Sequence, residues 1–264
     1  MGRLALVHSR SVRGGLSVPW RRAAAIAAAG VAALALLYVG ARETPVFAVR
    51  SIEVWGAPAD VRRAVEAAAE PVTGKSLVAL DGAGLVRDLE ALPSVRSVTY
   101  DRAFPSTLRI YVVAEHPVAV VHLGEGRWVV SERGRIIRSA PRGTPVVLPQ
   151  FRLPQRAGIE PGSFVTEPAA RVLLGALVLV PRRFPARIYT VRLEGGQLTF
   201  RLRATWGRPE LRLGEPVDVA VKLASAALVL RSIPADERGA VRYVDASLPE
   251  RVVVGSNPQP SGLG

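Results

Sequence analysis

The sequence predicts an α+β protein carried on a single N-terminal transmembrane helix, and three observations carry that prediction. Residues 23–41 contain no charge and no proline. Residues 46–116 read in the order strand, helix, helix, strand, strand. From residue 117 the pattern changes to short strands and tight turns with two or so helices among them, the mark of a β-rich second domain.

Composition narrows what such a chain does. At 264 residues it is long enough for two modest domains with their own cores. The formal charge is +13, and Lys75 and Lys222 are the only lysines, so arginine carries nearly all of it. Acids are interspersed with the arginines beyond residue 42, and neither a block of like charge nor aromatics set between basic residues is present. That pattern argues against nucleic acid as a partner. Without cysteine, disulfides, zinc–thiolate sites and thiol chemistry are excluded.

Residues 1–22 carry Arg3, Arg10, Arg13, Arg21 and Arg22 and no acid, and read as a disordered basic tail. As a helix, residues 23–41 would span roughly 28 Å, the thickness of a bilayer's hydrocarbon core. Trp20 and Tyr38 stand near its ends, where amphipathic rings favour the interface. The basic tail places the N-terminus in the cytoplasm and the bulk of the chain outside it. A buried soluble helix and a signal peptide cleaved at Val39-Gly40-Ala41 are the competing readings; the length of the apolar run and of the tail before it favours an anchor.

In residues 46–116, Ile52 and Val54 alternate along a strand that stops at Gly56. Asp60 is the expected N-cap of a helix in which Val61, Ala64, Val65 and Ala68 recur at helical spacing up to Pro71. Asp81 is the expected cap of a second helix, with Leu85, Leu89 and Leu92 on one stripe and Pro93 as its stop. A β-hairpin follows. Val98 and Tyr100 alternate with polar neighbours, residues 103–106 turn, and Leu108, Ile110, Val112 and Ala114 share one face of the return strand. The product is a three-stranded sheet with two helices over one face.

Residues 117–254 form the β-rich domain. A meander is expected over 118–138, turning at 124–126 and at Gly134. Residues 139–168, rich in Pro, Gly and Arg, read as a long connection. A helix runs over 168–180, with Pro168 in its first turn and Thr166 as its cap. Gly195-Gly196 signals a hairpin between strands at 188–193 and 198–203. Pro216 opens a helix to about Ser232 that is apolar on most sides and therefore expected to be buried. Strands at 241–245 and 251–254 close the domain, and residues 255–264 read as a disordered tail.

Catalytic chemistry needs an acid, base or nucleophile within mutual reach. His116 and His122 are the only histidines beyond the apolar run, and a metal site built from them and Glu115 lacks the close ligand spacing such sites favour. Gly74-Lys75-Ser76 resembles the end of a phosphate-binding loop, but Ala69 stands where its first glycine belongs. No catalytic, cofactor-binding or metal-binding residues are assigned, and no small-molecule substrate is expected. What remains is sheet edges, which are templates for strand addition by a partner.

Several short patterns resemble one family. They are Phe47-x-Val49-x-x-Ile52-x-Val54-x-Gly56, Gly74-x-Ser76-Leu77, Leu92-Pro93-x-Val95, Arg102-x-x-Pro105-x-Thr107-Leu108-x-Ile110 and Glu115-x-Pro117-x-Ala119, followed by Leu213-Gly214, Lys222-Leu223 and Tyr243-Val244-Asp245. Together they are similar to the POTRA domain and β domain of the FtsQ/DivIB cell-division proteins. The resemblance implies a non-enzymatic, bitopic scaffold at the division septum that binds FtsB and FtsL and helps control the septal peptidoglycan synthase FtsW–FtsI. It also implies that the late strand takes up an FtsB segment, which carries over to Arg242, Tyr243, Asp245, Ser247, Leu248 and Arg251. The competing reading of Tyr243 and Val244 is a strand already paired on both sides. Lys222 is expected on a helix surface or in domain packing. The rival functions are a POTRA-bearing export factor holding unfolded substrate, and an anchored cell-wall hydrolase.

Overall fold

The computed structural model describes residues 20–43, 45–141, 143, 147–154 and 160–256, so the expectations for the N-terminal basic tail and the last eight residues lie outside it. The chain divides into two compact units, one of residues 1–51, 72–80 and 102–108, the other of 52–71, 81–101 and 109–264.

In the first unit, α1 (Trp20–Glu43) contains a 19-residue stretch, Arg22–Gly40, of mean hydropathy 2.1, long and apolar enough to cross a membrane. Ile26, Leu34 and Leu36 are exposed along it, so no protein core accounts for its composition. After it, the Val49 N–H donates to the Lys75 carbonyl, and the Gly74 N–H donates to the Val49 carbonyl, both at 2.9 Å. The Leu77 N–H donates to the Phe47 carbonyl at 2.8 Å. The Gly74-Lys75 amide groups are therefore committed to neighbouring backbone, which a phosphate cradle would forbid. Leu77 is fully buried, and the Phe47 and Phe104 rings meet edge to face at 5.8 Å.

Most of a three-stranded sheet lies in the second unit; its strands are β1 (Ser51–Trp55), β2 (Val95–Ala103) and β3 (Thr107–Ala114), in the order β1-β3-β2. Two helices lie between β1 and β2 in sequence, α2 (Ala59–Ala69) and α3 (Gly82–Ala91), and they pack together. Pro58, with φ of −56°, takes the α2 cap position, so Asp60 falls in the first turn instead. Its charge still favours that end of the helix dipole. Asp81 does cap α3, its Oδ1 accepting from the Gly84 N–H at 3.0 Å. Gly82 is required by packing: the Tyr100 hydroxyl stands 1.7 Å from where a Cβ would project.

The rest of the unit is one nine-stranded sheet, built of β4 (Pro117–Leu123), β5 (Gly126–Ser131), β6 (Ile136–Ser139), β7 (Gln150–Leu153), β8 (Arg187–Glu194), β9 (Gln197–Arg203), β10 (Glu210–Gly214), β11 (Tyr243–Asp245) and β12 (Val253–Gly255). The spatial order is β12-β11-β10-β9-β8-β7-β4-β5-β6. The expected meander is β4-β5-β6, and the Gly195-Gly196 hairpin is β8-β9. Two strands were not expected. The supposed connection over 139–168 contains β7, which lies mid-sheet and runs parallel to both β4 and β8. β10 runs antiparallel to β9 and parallel to β11.

Helices α4 (Pro168–Val178) and α5 (Val219–Ser232) bury Leu173, Leu174, Leu223 and Leu230 in the core shared with Phe200, Leu211 and Val244. Their starts differ from expectation. Glu167, not Thr166, precedes α4 without a side-chain cap, and Pro168 occupies its first turn. α5 begins at Val219 because Asp218 takes a left-handed conformation, φ 53°, which cannot continue a helix back to Pro216. α5 is also not buried all round. Val221 and Leu228 are exposed, because the sheet covers only one of its faces.

Candidate functional site

The residues singled out by the resemblance gather at one corner of the nine-stranded sheet, on β11 and the turn leading to β12. The Arg242 N–H donates to the Gly255 carbonyl and its own carbonyl accepts from the Glu210 N–H, both at 2.9 Å, which stitches three strands together. Tyr243 is half-buried, pairing with Glu210 on one side and Gly255 on the other. The Arg212 guanidinium lies 4.5 Å from the centre of its ring. A Cβ on Gly255 would fall 2.2 Å from the same ring, so the ring covers the glycine across the strand pair. Asp245 Oδ1 accepts from the Ser247 N–H at 3.0 Å and from its hydroxyl at 2.7 Å, a local turn that starts the reversal toward β12. Leu248 and Arg251 are exposed on that turn.

This geometry is that of the competing reading, a strand already paired on both sides. β11 runs parallel to β10 and antiparallel to β12, so both its edges are occupied. On this side of the sheet the outermost strand among the described residues is β12, where Val253 and Val254 are exposed. Ser247 is a turn residue and offers no edge donor. Lys222, expected on a surface or in domain packing, is buried, and its Nζ donates to the Glu215 carbonyl at 2.8 Å, fixing the loop before α5.

A direct check on this corner is Gly255→Val. The branched side chain displaces the Tyr243 ring and frees β12. Amide exchange at residues 253–255 should then rise at least about tenfold, while β8 and β9 stay protected. Unchanged exchange at β12 would contradict the packing described.

The residues weighed for hydrolytic or metal chemistry are not brought together. Glu115 is buried and ion-paired with Arg133; His116 is exposed; His122 Nε2 shares a 2.9 Å hydrogen bond with Gln150 Oε1. Glu115 precedes β4 and His122 lies near its far end, roughly 20 Å away along an extended chain.

Comparison with known proteins agrees with the fold. The model of the FtsQ-type POTRA domain matches residues 47–114, which span β1 through β3. Three relatives called cell division protein FtsQ align with the chain. The protein from Corynebacterium glutamicum is 29% identical over 149 residues, covering 56% of this chain and 63% of its own length. That from Myxococcus fulvus is 31% identical over 170 residues, 61% of this chain and 56% of its own length. That from Mycolicibacterium smegmatis is 26% identical over 182 residues, 69% of this chain and 50% of its own length. The chain carries an FtsQ-type POTRA domain and is similar to FtsQ cell-division proteins. It spans between half and two thirds of the length of these FtsQ relatives.

The edge itself was within reach of the sequence. Val252-Val253-Val254 is a β-branched run of the kind that forms strands. What the sequence lacks is any marker of which strand lies outermost.

Proposed function

We propose that the protein is a non-enzymatic scaffold for cell division, anchored by α1 with its N-terminus in the cytoplasm and its two domains outside. At the septum it binds FtsB/FtsL-type proteins and thereby helps control the septal peptidoglycan synthase FtsW–FtsI. The observation that carries this reading is the open edge at β12. A short, exposed, valine-rich strand at the end of a nine-stranded sheet offers a row of unused main-chain donors and acceptors to an incoming strand. Arg251 and Leu248, exposed on the preceding turn, supply a charge and an apolar contact beside it. Tyr243 and Asp245 act through β12, holding it in register and shaping its turn.

Proline substitution tests the edge. Successive N–H groups on a strand point to opposite sides, so of Val253→Pro and Val254→Pro one removes an outward donor and the other a bond to β11. The outward variant should bind an FtsB/FtsL pair about tenfold or more weakly while melting like the unaltered chain. If both variants bind normally, partner recognition does not use this edge.

A further inference from the structure

A second opening for a strand lies in the middle of the nine-stranded sheet. β7 pairs with β4 at four successive positions, from Val120↔Gln150 to Leu123↔Leu153. On its other side it pairs with β8 at Gln150↔Thr190 alone. β8 meanwhile stays paired with β9 out to Glu194↔Gln197. Beyond the Gln150–Thr190 junction the pairing of the two parallel strands stops, and residues 151–153 and 191–194 line the two sides of a space that holds no strand among the described residues. The fork encloses a cavity of about 880 Å³. Its β8 lip is four residues long, roughly 13 Å of extended chain.

The two faces of the fork differ in chemistry because side chains alternate along a strand. Phe151, Leu153 and Val191 point to the core side, where Leu173 of α4 completes an apolar floor. Arg152 and Arg192 stand on the opposite face, one on each lip, and both are exposed. Arg152 makes no ion pair among the described residues, and Arg192 meets only the exposed Glu194 at 3.9 Å. Two facing strand lips that do not pair with each other, an apolar floor and a cationic mouth together describe a complementary ligand.

We propose that the fork binds an extended acidic segment of a partner protein as a strand inserted between β7 and β8. Its main chain bonds to both lips, carboxylates at alternate positions reach Arg152 and Arg192, and the apolar residues between them fill the floor. This site is independent of β12 and stands whether or not the outer edge takes a partner.

The test uses the full chain in detergent micelles and a fluorescein-labelled octapeptide alternating Glu and Val, followed by fluorescence anisotropy. Saturable binding is expected. The double variant Arg152→Glu, Arg192→Glu should weaken it by about tenfold or more, from two solvent-accessible ion pairs replaced by repulsion, and should favour a Lys-Val octapeptide instead. Val253→Pro and Val254→Pro should leave it unchanged. N-methylation of alternate peptide amides should abolish it. The proposal is overturned by absence of saturable binding, by indifference to the charge reversal, by indifference to N-methylation, which would reveal a mere anion site, or by loss in the β12 variants.

Discussion

Leu108→Asp should abolish the cooperative folding of the POTRA domain. Leu108 is fully buried in β3, beside Ile110 and Val112 on the same face. No cation among the hydrophobic residues of that face is available to neutralise a carboxylate there, and an unpaired buried charge costs several kcal/mol. A domain of this size has a stability of only about 5 kcal/mol. The adjacent position supplies the contrast. Arg109 is exposed on the opposite face and pairs with Glu53 at 3.1 Å, so Arg109→Ala should cost no more than about 1 kcal/mol. Amide exchange over residues 47–114 reads both variants. Retained protection in Leu108→Asp would refute the assignment of that face to the core.

Arg135→Met should be the most damaging single change to the corner where the two sheets of the second unit meet. Arg135 is buried, and its guanidinium donates to the carbonyls of Val95 at 2.8 Å, Glu90 at 2.9 Å and Ala91 at 3.3 Å. Glu90 and Ala91 close α3, where the helix leaves carbonyls unpaired and its dipole favours a cation. Removing the guanidinium takes one buried and two part-buried hydrogen bonds from these carbonyls, a loss of about 3 kcal/mol. Arg135→Lys should restore only part of it, because one ammonium cannot span three acceptors in the way a planar fork does. The denaturant midpoint gives the size of the effect, and exchange at residues 90–96 gives its place. The exposed pair Arg96–Glu132, at 2.6 Å beside the same corner, contributes far less. A midpoint unmoved by Arg135→Met would remove this contact from the account.

How far the sequence foretold these features follows from the physics of each element. The anchor, the POTRA order and the two glycine-marked hairpins rest on local signals: an uncharged run, alternation, and turn residues. Asp81 as a cap was legible for the same reason. β7 was not. Gln150–Leu153 is four residues between Pro149 and Pro154, too short to show a period, and its pairing with β4 and β8 is wholly non-local. β10 was hidden likewise in a five-residue strand. The residues carried over from the resemblance lie together at one corner, but their pairing was not legible. That β11 is enclosed and β12 outermost depends on sheet order, which no residue of either strand encodes. Of the two readings of Lys222, packing holds and surface does not, and a lone lysine in an apolar helix gives no hint of the carbonyl that receives it.

The central claim is that the β12 edge takes a partner strand. Amide hydrogen exchange of the full chain in detergent, with and without the extracytoplasmic part of the host's FtsB–FtsL pair, tests it most directly. Residues 253–255 should become strongly protected on binding, with β6 at the far edge unchanged. A complex that forms while β12 continues to exchange at its free rate would contradict the claim.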